Sequence, residues 1–290
     1  MIDTTTICII GPTGSGKSAL GMALAREIGG EIIAADSRTV YKGMDIGTAK
    51  PNVDDRTTIF HHLIDVINPN EEFSAAEFKK NALKAIKDIN SRKHIPIIVG
   101  GTGLYVNGLI YDYKFPAGGR NDTRIMLENT DLDVLVERLM ILDPVAYNRI
   151  DLKNSRRVIR ALETIGISPQ SNERLNPNIL LIGLRPNIEQ LNKQIVQRTN
   201  EMLRLGLVNE VRELIIKWGR NQRAFNSPGY AEIIKFIDNS ISLSEAIDLI
   251  NLHSLQLAKR QLTWFKRNED ILWFDSPTDA YEHALRFVNK

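Results

Sequence analysis

Gly11-Pro12-Thr13-Gly14-Ser15-Gly16-Lys17-Ser18 is the stretch of this 290-residue chain whose residue types and spacing speak most directly of chemistry. It satisfies G-x-x-x-x-G-K-[ST] in full, the pattern of a loop that cradles phosphate. Glycines let the backbone curl until its N–H groups converge on phosphate oxygens. Lys17 adds a point charge, and the Ser18 hydroxyl is a natural magnesium ligand. The motif specifies a phosphate without specifying the compound that carries it, so ATP is one candidate ligand among several. Asp36 is the next candidate: a ligand to magnesium-bound water, a general base, or an Asx turn or helix-entry cap. Asp65 invites the same readings and that of an ordinary turn residue. Thr102, in Gly100-Gly101-Thr102-Gly103, offers a hydroxyl to an anion at a helix start or serves as a bare N-cap. His61 and His62 are adjacent and face opposite sides of a strand, which argues against paired metal ligation. No His, Cys and carboxylate grouping has zinc spacing.

These residues act together only if the elements around them deliver them to one place. Residues 6–10 read as a buried strand, followed by the glycine turn and a helix reaching residue 28. A second strand at 31–35 ends at Asp36-Ser37, and a third is expected at 62–66. Ser74 and Glu77 have capping-box spacing and should open a helix running toward residue 90. A fourth strand at 95–99 carries Pro96 near its start and runs into the Gly100 loop. Strands alternating with helices predict an α/β fold, a P-loop parallel sheet core covered by helices on both faces. Ligands in such sheets bind beyond the carboxyl ends of the strands. Three segments leave the sheet there: 11–18, Asp36-Ser37 and 100–103.

The middle of the chain changes character. Residues 111–129 are polar with weak periodicity, while 132–142 and 154–165 are helical by pattern. The expected organisation is a core of 1–112 and 176–290, with C-terminal helices, and a small helical insertion domain at 113–175. A returning strand is predicted at 178–184 and a late one at 271–274. Arg156, Arg157 and Arg160 fall within two turns of one predicted helix. Lys259, Arg260, Lys266 and Arg267 surround Trp264 and Phe265. Such clusters suit phosphate contact and base stacking, or are solvated faces balanced by Glu163, Glu269 and Asp270. The net charge of +2 is too small for a global field to attract a polyanion, so local patches would have to do it. The lone cysteine, Cys8, has no disulfide partner within the chain, and no apolar stretch is long enough to span a bilayer. A cytoplasmic monomer without a membrane partner is the expectation.

The stretches 11–18, Asp36-Ser37, Tyr41-Lys42-Gly43-Met44-Asp45-Ile46-Gly47-Thr48-Ala49-Lys50-Pro51 and His61-His62-Leu63-Ile64-Asp65 resemble the tRNA dimethylallyltransferase (tRNA isopentenyltransferase, IPP transferase) family. So do Phe73-Ser74-Ala75-Ala76-Glu77-Phe78, Gly100-Gly101-Thr102-Gly103-Leu104-Tyr105, Arg160-Ala161-Leu162-Glu163 and Lys259-Arg260-Gln261-Leu262-Thr263-Trp264-Phe265. The resemblance implies dimethylallyl diphosphate as donor, N6 of adenosine 37 in tRNA as acceptor and magnesium as cofactor. By matching position, Asp36 is the base, and Thr13, Lys17 and Ser18 with magnesium stabilise the departing diphosphate. Arg198 matches a diphosphate contact. Asp36, Ser37, Arg38, Thr39, Thr102, Arg124, Arg156, Arg157, Arg160, Gly229 and Tyr230 match tRNA-contacting positions.

Departures from the family pattern gather on that tRNA side. Thr39 stands where many members have a base-reading glutamine, and Asp151-Leu152-Lys153-Asn154 replaces a His-Pro-Asn-Asp run. Leu255 replaces an arginine, and Pro228 and Ala231 flank Gly229-Tyr230 in place of an aliphatic and a basic residue. Transfer to free adenine nucleotides, a P-loop kinase or NTPase, and a tRNA-binding relative without turnover are the alternatives.

Overall fold

The computed structural model describes residues 2–115, 122–165, 172 and 174–289. Among these residues six strands form one parallel sheet: β1 (Thr6–Ile10), β2 (Gly30–Ala34), β3 (His61–His62), β4 (Ile95–Gly100), β5 (Ile179–Leu184) and β6 (Leu272–Phe274). Before the middle of the chain come α1 (Lys17–Ile28), α2 (Val53–Thr58), α3 (Ala75–Ser91) and α4 (Gly103–Ile110). Next are α5 (Asp122–Glu128), α6 (Leu132–Leu142), α7 (Pro144–Tyr147) and α8 (Ser155–Glu163). The last are α9 (Ile188–Arg204), α10 (Leu207–Trp218), α11 (Tyr230–Ile237), α12 (Leu243–Phe265) and α13 (Pro277–Val288).

The strands read as near-continuous apolar runs because both faces of the sheet are covered. Ile7, Ile9, Ile32, Ile97 and Ile182 pack against Leu20, Leu24 and Ala25 of α1 and Ala280 and Ala284 of α13. Cys8, Ile10, Ile33 and Ile98 alternate with them onto the opposite side and are fully buried. Burial keeps the Cys8 thiol protonated by pushing its pKa up. The Ser74–Glu77 capping box opens α3 as its spacing predicts.

Strand order β3-β2-β4-β1-β5-β6 makes β2, β4 and β1 consecutive neighbours. Their carboxyl ends are therefore side by side, and the loops after Ile10, Ala34 and Gly100 converge there. Beyond that edge a second core forms among helices and the 40–44 loop. Val40, Tyr41 and Met44 pack with Met202, Leu207, Val211, Phe225, Tyr230, Ile233 and Ile250. This helical layer is the far wall over the sheet's carboxyl edge.

The third strand, His61–His62, is shorter than the expected 62–66. Leu63 and Asp65 adopt positive φ, 63° and 56°, and take the chain out of extended conformation. Asp65 N and Val66 N instead donate to Thr39 O and Val40 O, at 3.1 and 2.8 Å. The Asp65 carboxylate is engaged by Lys50 Nζ at 2.5 Å and Arg56 Nη1 at 2.7 Å. Asp65 is thus a loop-holding residue. Glu31 of β2 fastens the same sheet edge, bonding His62, Arg92 and His94 at 2.7–2.8 Å. Burial alone would push its carboxyl up, yet these partners hold it down at about 2.

The chain divides into two compact units, Met1–Asp112 with Asn172–Lys290, and Tyr113–Ser171. Asn172 N donates to Tyr111 O at 2.7 Å, so the chain rejoins the first unit four residues before the expected 176. The second unit has its own core of Leu127, Leu135, Leu139, Val158 and Ile159. Its α5 lies within 111–129, the polar stretch of weak periodicity.

Candidate active site

Gly16 stands at the N-cap of α1 with φ 83°, a left-handed conformation that suits glycine at the mouth of a phosphate loop. Thr13, Lys17 and Ser18 from this loop line a cavity of about 760 Å³, together with Asp36, Ser37, Arg38, Thr39 and Thr102. Thr48 and Lys50, Arg198 of α9, and Arg260 and Gln261 of α12 complete its polar wall. Met22, Ile32, Ala34 and Val99 add an apolar side.

The charges are arranged for an anion. Burial is the main influence on Lys17 and lowers its pKa to about 8, with Asp36 pulling it up and Arg198 pushing it down. Arg198 is likewise lowered, first by burial, and also feels Asp36. Two cations and one carboxylate within electrostatic reach leave a net positive site in a poorly solvated cavity. Lys17 Nζ donates to Pro12 O at 3.0 Å. Arg198 Nη1 donates to Thr13 Oγ1 at 2.5 Å and Nη2 to Thr48 O at 3.3 Å. Asp36 Oδ1 accepts the Arg38 amide at 2.8 Å, an Asx-type turn that fixes the carboxylate while it lines the cavity. The Asx-turn reading of Asp36 thus holds, and the turn leaves the carboxylate on the cavity wall. Thr102 makes no side-chain cap bond; its Oγ1 accepts the Ser37 amide at 2.9 Å and ties the Gly100 loop to Asp36-Ser37.

The run 41–51 is built as a scaffold for this wall. Lys50, its side chain 1% exposed, bridges Tyr41 O, Asp45 and Asp65. The Glu210 carboxylate of α10 accepts the amides of Asp45, Ile46 and Gly47 at 2.7–3.1 Å and the Tyr230 hydroxyl at 2.6 Å. Tyr230 lies so close to Gly47 that any Cβ there would meet its ring at 2.4 Å.

Several expected RNA contacts have other duties. Tyr230 is fully buried and Gly229 donates its amide to Glu232 at 2.7 Å, so neither presents a surface. The cavity-facing part of that segment is Asn226, Ser227 and Pro228. Arg38 is spent largely on the carbonyls of Arg223, Ala224 and Asn226. Phe265 is fully buried and offers no stacking face, whereas Trp264 is 42% exposed. Leu255 packs against Leu191 and Ile195 of α9. In the second unit Arg156 and Arg157 are exposed on α8, while Arg124 and Arg160 pair with Glu163 at 3.3 and 3.2 Å. Thr39 is 8% exposed, and its hydroxyl has no hydrogen-bond partner although it lines the cavity. Gln261 and Glu210 carry the site without any signal of their own in the sequence. Gln261 lies in the 259–265 run, but only its contacts reveal its place.

A parallel sheet whose 11–18 loop and Asp36 line one cavity beyond its carboxyl edge defines an α/β enzyme fold. A family model described as IPP transferase matches residues 39–268, and the chain belongs to that family. It is 42% identical over 283 residues to the tRNA dimethylallyltransferase of Anoxybacillus flavithermus, covering 94% of this chain and 91% of that one. The tRNA dimethylallyltransferase of Oceanobacillus iheyensis is 38% identical over 297 residues, with 98% and 95% covered. Among solved structures, the full-length tRNA isopentenylpyrophosphate transferase of Bacillus halodurans superposes with a TM-score of 0.74 at 35% identity, over 99% of this chain and 97% of that one. A eukaryotic dimethylallyltransferase solved acting on tRNA gives 0.85 at 25% identity, over 99% and 80%. No described helix is long and apolar enough to cross a membrane.

Proposed function

We propose that this chain transfers the dimethylallyl group of dimethylallyl diphosphate to N6 of adenosine 37 in tRNA and releases diphosphate. The supporting observation is the placement of Lys17, Arg198 and Asp36 around a single cavity, two cations for the leaving group and one carboxylate for the acceptor. The diphosphate takes the loop 11–18, where Lys17 and Arg198 balance the charge that builds as the C1–O bond breaks. Thr13 steadies the Arg198 guanidinium through its hydroxyl. The adenine amine is a weak nucleophile because its lone pair is delocalised into the ring. Asp36 takes a proton from it as the N6–C1 bond forms, and the diphosphate leaves with the C1–O electron pair. Met22, Ile32, Ala34 and Val99 offer apolar surface to the five-carbon tail. Thr39 has an unsatisfied hydroxyl with which to bond the base.

The donors available suit magnesium, since Ser18 and Asp36 present only hard oxygen ligands to the cavity. Ser18 would hold the ion together with diphosphate oxygens and water, because no cluster of three or more ligating side chains exists among the described residues. When bound, magnesium supplies charge neutralisation to the diphosphate. Arg156 and Arg157 suit the tRNA backbone. The enzyme acts as a cytoplasmic monomer in this reading.

Incubation with labelled dimethylallyl diphosphate, magnesium and either tRNA, AMP or no acceptor tests it. Label is expected in tRNA alone; label in AMP but never in tRNA, or ATP hydrolysis without transfer, overturns the reading. Asp36→Asn should cut transfer at least about 10²-fold while donor affinity holds, as expected for loss of a general base. Loss of donor binding instead would make Asp36 an organiser of magnesium.

A further inference from the structure

Gln261 lies on the cavity face of α12, on a stripe with Ile250, Ser254 and Leu257 at helical spacing. Its side-chain amide makes two bonds in opposite senses. Oε1 accepts the backbone N–H of Thr13 at 2.8 Å, and Nε2 donates to the carbonyl of Gly101 at 3.0 Å. Those peptide groups belong to the loops leaving β1 and β4. A Cβ on Gly101 would collide with the Gln261 amide, so the glycine makes room for the bridge. From Gly101 the connection continues one residue to Thr102, whose hydroxyl holds the Ser37 amide beside Asp36. The amide of one side chain thus links the loop carrying Lys17 to the loop that holds the carboxylate.

We propose that Gln261 is a positioning residue for group transfer: it sets the distance between the phosphate loop and the Asp36 loop, and so between donor and acceptor. This rests on the prenyl-transfer reading above. The carboxamide supplies a donor and an acceptor on one end group at neutral pH, which a carboxylate does not. It also follows that the Thr13 amide is committed to Gln261 and stands outside the set of loop amides facing phosphate. Because Arg260 and Trp264 neighbour Gln261 on the same helix, α12 couples the cavity wall to the phosphate loop directly.

The test compares Gln261→Met, which removes both bonds, with Gln261→Glu, which keeps the acceptor and loses the donor at neutral pH. Misplacing reacting groups by an ångström is worth roughly 10²-fold, so Gln261→Met should lose about that much kcat with KM for dimethylallyl diphosphate within about 3-fold. In Gln261→Glu, kcat relative to wild type should recover as pH falls from 8 toward 5, because the protonated acid again donates to Gly101 O. Undiminished kcat in Gln261→Met, a loss lying wholly in KM for either substrate, or a pH-independent deficit in Gln261→Glu overturns the proposal. Should Gln261→Met fail to fold, the pH profile of Gln261→Glu decides. Amide exchange at Thr13 provides a readout independent of turnover. It should quicken at least about 10-fold in Gln261→Met, where the bond to Oε1 is lost, and unchanged exchange there overturns the bridge. A wild type that fails to prenylate tRNA would instead refute the functional reading, and Thr13 exchange would still judge the bridge.

Discussion

Lys17 sits in a conflict that its position in a glycine loop does not disclose. Burial disfavours its charge and brings its pKa to about 8, so the free enzyme holds a cation that titrates close to neutrality. The cation that attracts diphosphate is lost as pH rises through about 8, and kcat/KM for the donor should fall above that value. A pH profile flat from 7 to 9 would contradict this. The linked effect on stability has the opposite sign. Between about 8 and the usual 10.5 the native state binds fewer protons than the unfolded chain, so this group makes the fold more stable as pH rises. Bound diphosphate would offset the cost of keeping the charge. Thr39 poses a related question, since a buried hydroxyl without a partner costs about 1–3 kcal/mol unless something arrives to bond it. Thr39→Val should therefore raise the unfolding midpoint slightly while lowering kcat/KM for tRNA about 5- to 10-fold. Undiminished tRNA kinetics would mean the hydroxyl does not meet the base.

Among the elements, α10 shows how a distant helix shapes a loop that lines the cavity. Glu210 satisfies three successive amides and the Tyr230 hydroxyl with one carboxylate. Glu210→Gln puts an N–H₂ group against donors and should cost about 2 kcal/mol, read as a lower denaturant midpoint. A change below about 0.5 kcal/mol would show that water replaces those bonds. The strands β1, β2, β4 and β5 were legible because short apolar runs between turn signals leave few alternatives. The third strand was misread for a physical reason. Leu63 and Asp65 leave the extended region while the Asp65 and Val66 amides bond Thr39 and Val40, and no local signal announces such distant partners. Helix α5 was hidden in the converse way, its pattern too weak to register over so short a span.

At the scale of the molecule, two units with separate cores make a direct prediction. Asn172 bonds Tyr111, so the ends of the first unit at Asp112 and Asn172 are already close. Replacing 113–171 by a short Gly/Ser linker should leave a cooperatively folding chain that binds dimethylallyl diphosphate normally. It should lose at least about 10-fold in kcat/KM for tRNA, since Arg156 and Arg157 go with the segment. Undiminished transfer to tRNA would remove the second unit from RNA recognition. The phosphate loop, Asp36 and the alternation of strands with helices were determined by sequence, because each depends on neighbours within a few residues along the chain. Their convergence rests on strand order, which places β2, β4 and β1 side by side through crossovers. The roles of Gln261, Glu210 and Tyr230 were decided only by tertiary structure. Their partners lie 248, 165 and 20 residues away, and whether a polar side chain meets RNA, a buried carboxylate or a backbone amide depends on what folding brings against it.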